Sequence, residues 1–211
     1  MGDSIAANGG FFNRINSILG TTGKNVSVGG WFYSEDTGFN NEYPADASHG
    51  IYRQVANLNG DENLIIIWAG TNDFGHSHRI GDINDRDPVT FYGGMHKVIN
   101  ALYDKFGNDV TIILCTPLHR NMEDKGSPGY PYSSDQTNKL GNSLQAYWDA
   151  IHDIAEHYDL LLFDAHMETG LDPRIAEHNT AYFSDGLHPN AAGQTIIGDE
   201  LAKFIKENIS Q

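Results

Sequence analysis

The stretch Ser184-Asp185-Gly186-Leu187-His188-Pro189-Asn190 sets an aspartate and a histidine three residues apart, just ahead of a helix-like run. A carboxylate this close can bond one imidazole nitrogen. That fixes the tautomer and leaves the other nitrogen free to accept a proton. Such a pair is a general base in need of a nucleophile. The same residues also fit a plainer arrangement, with His188 at the start of the helix and Asp185 in a turn.

Ser4 is the candidate nucleophile. Gly2 and Asp3 allow a tight turn before it, and the residues after it lead into the helix-like segment Phe11–Leu19. A serine on such a turn sits near backbone N–H groups that favour developing negative charge, although serine is also an ordinary helix cap. Two further segments supply donors. Gly70-Thr71-Asn72-Asp73 follows an apolar run, and the Asn72 amide can donate to an oxyanion. Asn25–Gly30 ends in two glycines, where a backbone N–H is open to close approach.

These residues need a frame. Four short apolar runs read as strands: Asn25–Gly30, Asn63–Gly70, Asp109–Thr116 and Asp159–Ala165. Three are nearly continuous in large aliphatic residues, the pattern of strands buried on both faces. Between them, periodicity predicts helices over Phe11–Leu19 with Phe12, Ile15 and Leu19 as a stripe, over 89–107, over 133–159 with Leu140, Leu144, Tyr147, Ile151 and Ile154 on one side, and over 190–209 with Ile197, Leu201, Phe204 and Ile205 inward. Loops are expected over Trp31–Ser48, Phe74–Pro88 and 118–134. Strand and helix alternate throughout, which predicts an α/β fold with helices on both faces of a parallel sheet. The candidate residues would gather at the carboxyl edge of that sheet.

In order, the motifs are Gly-Asp-Ser at the start, glycine after the next strand, Gly-Thr-Asn-Asp after the one following, and Asp-Gly-Leu-His before the last helix. This ordered set, running from Gly2 to about Gly193, resembles the SGNH hydrolases, also called the GDSL esterases and lipases. The resemblance implies a three-layer α/β/α domain over residues 1–211 with a mostly parallel, flavodoxin-like five-stranded sheet. It implies a serine esterase with Ser4 as nucleophile, His188 as base and Asp185 orienting it, with a rate rising with pH as His188 loses its proton. The N–H groups of Ser4 and Gly30 and the amide of Asn72 would line an oxyanion hole, with Gly29 as the alternative to Gly30. Neither a metal nor an organic cofactor is needed.

In such a fold a central strand precedes the Gly-Asp-Ser turn, where this sequence holds only Met1. We therefore expect that first strand to be supplied from elsewhere: by residues upstream in a longer parent chain, by a circular rearrangement, or by a second chain. A central strand cannot be removed without stripping backbone partners from its neighbours.

The motifs set no substrate. Aromatics in the expected rim (Trp31, Phe32, Tyr33, Phe74, Tyr130 and Tyr132) suit stacking on a sugar ring, and Trp31, Phe74, His76 and Tyr130 are candidate substrate contacts. With no long apolar lid in the sequence, small acyl groups such as acetyl on a carbohydrate are favoured. A lysophospholipase or thioesterase, or a noncatalytic glycan-binding module, are the alternatives. His76 and His78 with Asp82 and Asp85 have a spacing seen in metal sites, but a polar surface loop is the preferred reading and no metal is expected. With 28 acidic against 13 basic residues the net charge is −15, which disfavours nucleic acid and anionic membrane surfaces as partners. The lone cysteine, Cys115, precludes an internal disulfide and reads as a buried strand residue. No leader-like stretch is visible, and the compartment stays open between cytoplasmic and secreted.

Overall fold

Three of the four apolar runs form the sheet of the computed structural model, which describes residues 1–36 and 49–209. Strands β1 (Leu64–Trp68), β2 (Thr111–Cys115) and β3 (Leu161–Phe163) are parallel, in the order β1-β2-β3. β2 pairs on both sides, Ile66 with Ile113 and Leu114 with Leu162. Its residues Ile112 to Cys115 are almost wholly buried, as the unbroken aliphatic run requires.

Asn25–Gly30, expected as a strand, is not one, so the sheet has three strands rather than five among the described residues. A ladder needs a partner along its length. The neighbour here is only the short segment Met1–Asp3, which lies along β1: Trp68 N–H donates to Met1 O at 3.1 Å and Asp3 N–H to Trp68 O at 3.1 Å. On its other side, Val28 N–H donates to Gly2 O at 3.1 Å. Met1–Asp3 thus occupies the carboxyl end of the central strand expected before Ser4, with Val26 to Val28 beside it.

Helices cover both faces. Helices α1 (Ser4–Ala7) and α2 (Gly10–Leu19) pack with α8 (Ala191–Asn208) on one side. The other side holds a 3-10 helix (Ile51–Asn57), α4 (Phe91–Phe106) and α5 (Leu144–Tyr158). The short helices α3 (Thr71–Gly75), α6 (Ala165–Glu168) and α7 (Ala176–Tyr182) follow strand ends or precede α8. Two apolar clusters result, one on each face of the sheet, giving the three-layer α/β/α fold.

Side-chain caps set several helix starts. Thr90 Oγ1 accepts from Gly93 N–H to start α4, and Asn190 Oδ1 accepts from Ala192 and Gly193 N–H to start α8. The helix expected over 133–159 begins only at Leu144. Asn138 Oδ1 takes the N–H groups of Leu140 and Asn142, and Gly141 adopts a left-handed φ of 81°. This closes a loop that a helix would have to open, and Leu140 is left 41% exposed. In α2 the buried stripe is Phe11 and Ile15, with Phe12 and Leu19 only partly covered; in α8, Phe204 is likewise at the margin. Cys115 is buried, and its thiol is pushed well above the ordinary range by burial.

Candidate active site

Ser4 opens α1 directly after the Met1–Asp3 segment. The turn depends on Gly2, whose φ is 150° and where a Cβ would stand 2.0 Å from Trp68 O. Gln54, buried in the 3-10 helix, holds the same residue from the side: Gly2 N–H donates to Gln54 Oε1 at 2.8 Å, and Gln54 Nε2 donates to Gly2 O at 2.7 Å. Asp3 is fully buried, and its Oδ1 accepts Ile5 N–H at 2.9 Å. Burial pushes its carboxyl up to about 7, against the Ile5 hydrogen bond, with Asp73 nearby adding to the rise.

His188 arrives from the other end of the chain. Its loop is closed by the Phe183–Pro189 bridge and by Asn190 N–H donating to Tyr182 O at 2.8 Å. Gly186 makes the tight turn at φ 76°, so close to Asn121 that a Cβ would lie 1.9 Å from its carbonyl oxygen. Two contacts dock this loop on the first helices: Asn8 Nδ2 donates to Pro189 O at 3.2 Å, and Phe11 N–H to Gln194 Oε1 at 2.8 Å. The packing of α2 on α8 therefore brings together residues 184 positions apart.

The result is a chain of bonds. Ser4 Oγ lies 2.9 Å from His188 Nε2, and His188 Nδ1 lies 2.8 Å from Asp185 Oδ2. Asp185 Oδ1 accepts the N–H groups of His188 at 2.8 Å and Leu187 at 3.0 Å. Partial burial alone would raise the Asp185 carboxyl, but these backbone donors and the imidazole bring it below the usual carboxylate range. It is therefore ionised at neutral pH. A carboxylate on Nδ1 and a hydroxyl on Nε2 form the proton-transfer geometry of an activated serine.

Asn72, in the first turn of α3, points its amide to the same sheet edge. Its Nδ2 donates to Trp31 O at 3.0 Å, and the NH₂ group carries a second hydrogen. That bond ties α3 to the Gly29–Trp31 turn. Gly29 lies against the nucleophile, since a Cβ there would be 3.6 Å from Ser4 Cβ, whereas one on Gly30 would meet nothing within 4 Å. Gly30 has the left-handed φ of 79° that the turn requires.

The expected aromatic rim is largely core. Phe32, Tyr33, Phe74 and Tyr132 are buried. Phe74 packs edge-on against Tyr147 and under Arg120, which removes it from the candidate substrate contacts. Trp31, His76 and Tyr130 are half-buried, and the His76 ring meets Phe32 and Tyr130 edge-on. His78 is fully buried, with Nδ1 2.6 Å from Ser34 Oγ and 3.3 Å from Asp73 Oδ1, so it turns away from the surface loop assigned to it. Asp82 and Asp85 bond each other's loop instead, Asp82 N–H donating to Asp85 Oδ2. Among the described residues no group of three or more histidine, cysteine or acidic side chains is arranged to hold a metal ion.

Sequence reasoning did not single out two residues that position the site. Asp73 is fully buried and accepts the N–H groups of Tyr33 at 3.1 Å and Ser34 at 3.0 Å, which anchors the segment after the Gly29–Trp31 turn. Its place beside Asn72, with a histidine five residues on, was an available clue. Gln54 carried no signal, because a lone glutamine in a polar stretch points nowhere.

Whole-chain comparisons bear on the family and the fold. The GDSL-like Lipase/Acylhydrolase family model matches residues 1–196. A protein from Lactobacillus plantarum superimposes with a TM-score of 0.81 at 23% identity, covering 100% of this chain and 96% of that one. A possible lipase from Chitinophaga pinensis gives 0.74 at 18% identity, covering 98% and 96%. A lipase/acylhydrolase from Enterococcus faecalis gives 0.63 at 16%, covering 99% and 94%. No curated protein is a significant match to the sequence. At these identities the solved structures speak for the fold, while the family model spans nearly the whole chain: the protein belongs to the GDSL-like lipase/acylhydrolase family, and that membership supports an ester hydrolase.

Proposed function

We propose that the protein is a serine esterase acting on small acyl esters, acetyl foremost, carried on a polar alcohol such as a carbohydrate. The carrying observation is the continuous Ser4–His188–Asp185 chain of 2.9 and 2.8 Å contacts. In this reading His188 Nε2 takes the Ser4 proton as Oγ attacks the acyl carbon. The oxyanion is met by Ser4 N–H, the Asn72 amide and a glycine N–H of the Gly29–Gly30 turn. The imidazolium then protonates the departing alcohol, and water activated by His188 releases the acid. Asp185, held ionised, keeps Nδ1 protonated and stabilises the imidazolium.

The preference for short acyl groups rests on openness. The His188 and Asp185 side chains are 34% and 46% exposed. A long chain lying there would leave methylenes in water, forgoing about 0.8 kcal/mol for each one a closed tunnel would bury. Trp31, partly buried against the core and bonded through its carbonyl to Asn72, is the candidate aromatic contact for a sugar ring.

A panel of p-nitrophenyl esters from acetate to laurate, run beside acetylated sugars, tests this. Acetate should give the highest kcat/KM, activity should survive a chelator, and Ser4→Ala should fall by roughly 10⁴-fold or more. Activity rising steadily towards laurate would defeat the small-acyl reading, and an active Ser4→Ala would defeat the serine mechanism.

A further inference from the structure

β2 ends at Cys115, and the segment that follows it is bonded to both halves of the site. Asn121 N–H donates to Gly186 O at 2.7 Å, which fastens the segment to the loop of Asp185 and His188. The side chain of Arg120 reaches the other way, to α3. Its Nη1 donates to Thr71 O at 3.1 Å and lies 3.5 Å from Thr71 Oγ1. Thr71 is the residue before Asn72. The Arg120 backbone is fixed in turn, its N–H donating to Ser134 Oγ at 2.7 Å and its carbonyl oxygen accepting Ser134 N–H at 2.9 Å.

Arg120 is wholly buried, and a guanidinium keeps its charge there. Its Nη2 donates to Met122 Sδ at 3.3 Å, and its Cζ stands over the rings of Phe74 and Tyr130 at 5.5 and 5.0 Å. Nε has no hydrogen-bond partner, and none of the bonded atoms is a carboxylate. Ring faces offset only part of the lost hydration. If packing were the whole role, an apolar side chain of similar volume would do as well or better. What the charge adds is a strong, charge-assisted bond at the peptide that joins Thr71 to Asn72. Gly75 makes room for it: a Cβ there would lie 3.1 Å from Arg120 Nη1 and 2.9 Å from Tyr130 Oη.

We propose that Arg120 is a positioning residue for the oxyanion hole, holding the Thr71–Asn72 peptide so that the Asn72 amide meets the developing oxyanion. The proposal rests on the esterase reading and deepens it. Asn72 is then set from two sides, its amide by Trp31 O and its backbone by Arg120. The segment after β2 gives the oxyanion donor and the base a common mounting, through Arg120 to α3 and through Asn121 to the His188 loop.

A double-mutant cycle on p-nitrophenyl acetate tests this. Arg120→Met keeps the volume and removes the charge and the donors. Its kcat should fall by about 10- to 100-fold with KM nearly unchanged, a smaller loss than that of Asn72 itself. In an Asn72→Ala background the same substitution should cost about twofold or less, because nothing is left to position. Arg120→Lys keeps one charged donor and should lose less than Arg120→Met. Should Arg120→Met fail to fold, Arg120→Lys takes its place in the cycle, and its smaller loss must vanish without Asn72 in the same way. An unchanged kcat in Arg120→Met, or an equal loss with and without Asn72, would overturn the proposal and leave Arg120 a structural tie. Ser4→Ala measured alongside separates this from the esterase reading. Activity that survives Ser4→Ala removes that reading and the proposal with it, whereas Ser4-dependent activity indifferent to Arg120 overturns the proposal alone.

Discussion

At the scale of single residues, the site combines a hydroxyl, an imidazole and an amide whose partners are set by short, local bonds. Asn72 is held by Trp31 O on one hydrogen, which leaves its second for the oxyanion in the proposed reaction. We expect Asn72→Ala to lower kcat by about 10²–10³-fold with little change in KM, the mark of an interaction made in the transition state. Steady-state kinetics on p-nitrophenyl acetate will measure it. Asp3 makes a different prediction. Its folded carboxyl titrates at about 7 against an ordinary 3.8, because it is buried. Between those values the unfolded chain has released the proton that the folded chain retains, so rising pH removes stability across that window. Asp3→Asn keeps the oxygen that accepts Ile5 N–H and has no proton to lose. Its Tm should gain on the parent between pH 5 and pH 8, and equal pH profiles for the two would mean that Asp3 is not held protonated.

At the scale of elements, the site depends on how Gly2 is gripped. Gln54 occupies both its N–H and its carbonyl oxygen. Gln54→Ala leaves that buried N–H without its acceptor, which costs about 1–3 kcal/mol. A denaturant titration should find that loss, and an unchanged midpoint would show that β1 and Val28 hold Met1–Asp3 without Gln54. The contrast between Gln54 and the bonded Ser4, His188 and Asp185 explains what was readable beforehand. Ser4, Asn72, Asp185 and His188 stand in short motifs whose chemistry is local, so they could be named from the chain alone, as could β1, β2 and β3 from unbroken aliphatic runs. The start of α5 could not be, because Asn138 and Gly141 override a helical period that continues through Leu140. Phe74 and His78 were misplaced for a similar reason. Their loop is polar in composition, yet buried Asp73 draws Tyr33, Ser34 and His78 inward. Asn25–Gly30 has strand-forming residues but lacks a full-length neighbour, which no local pattern discloses.

At the scale of the molecule, the three-layer packing does the work that sequence distance opposes. Ser4 and His188 meet because α2 lies on α8 and the Pro189 loop is fastened to Asn8 and its neighbours. From the net charge of −15 we expect neutral or cationic esters to be preferred over anionic ones. The claim on which the rest stands is that Ser4 is made nucleophilic by His188 within the folded chain. Reaction with a fluorophosphonate, followed by peptide mass analysis, tests it most directly. We predict one label per chain, on Ser4, formed rapidly in the parent and lost in His188→Ala. A label on another residue, or Ser4 labelled equally fast without His188, would contradict the account.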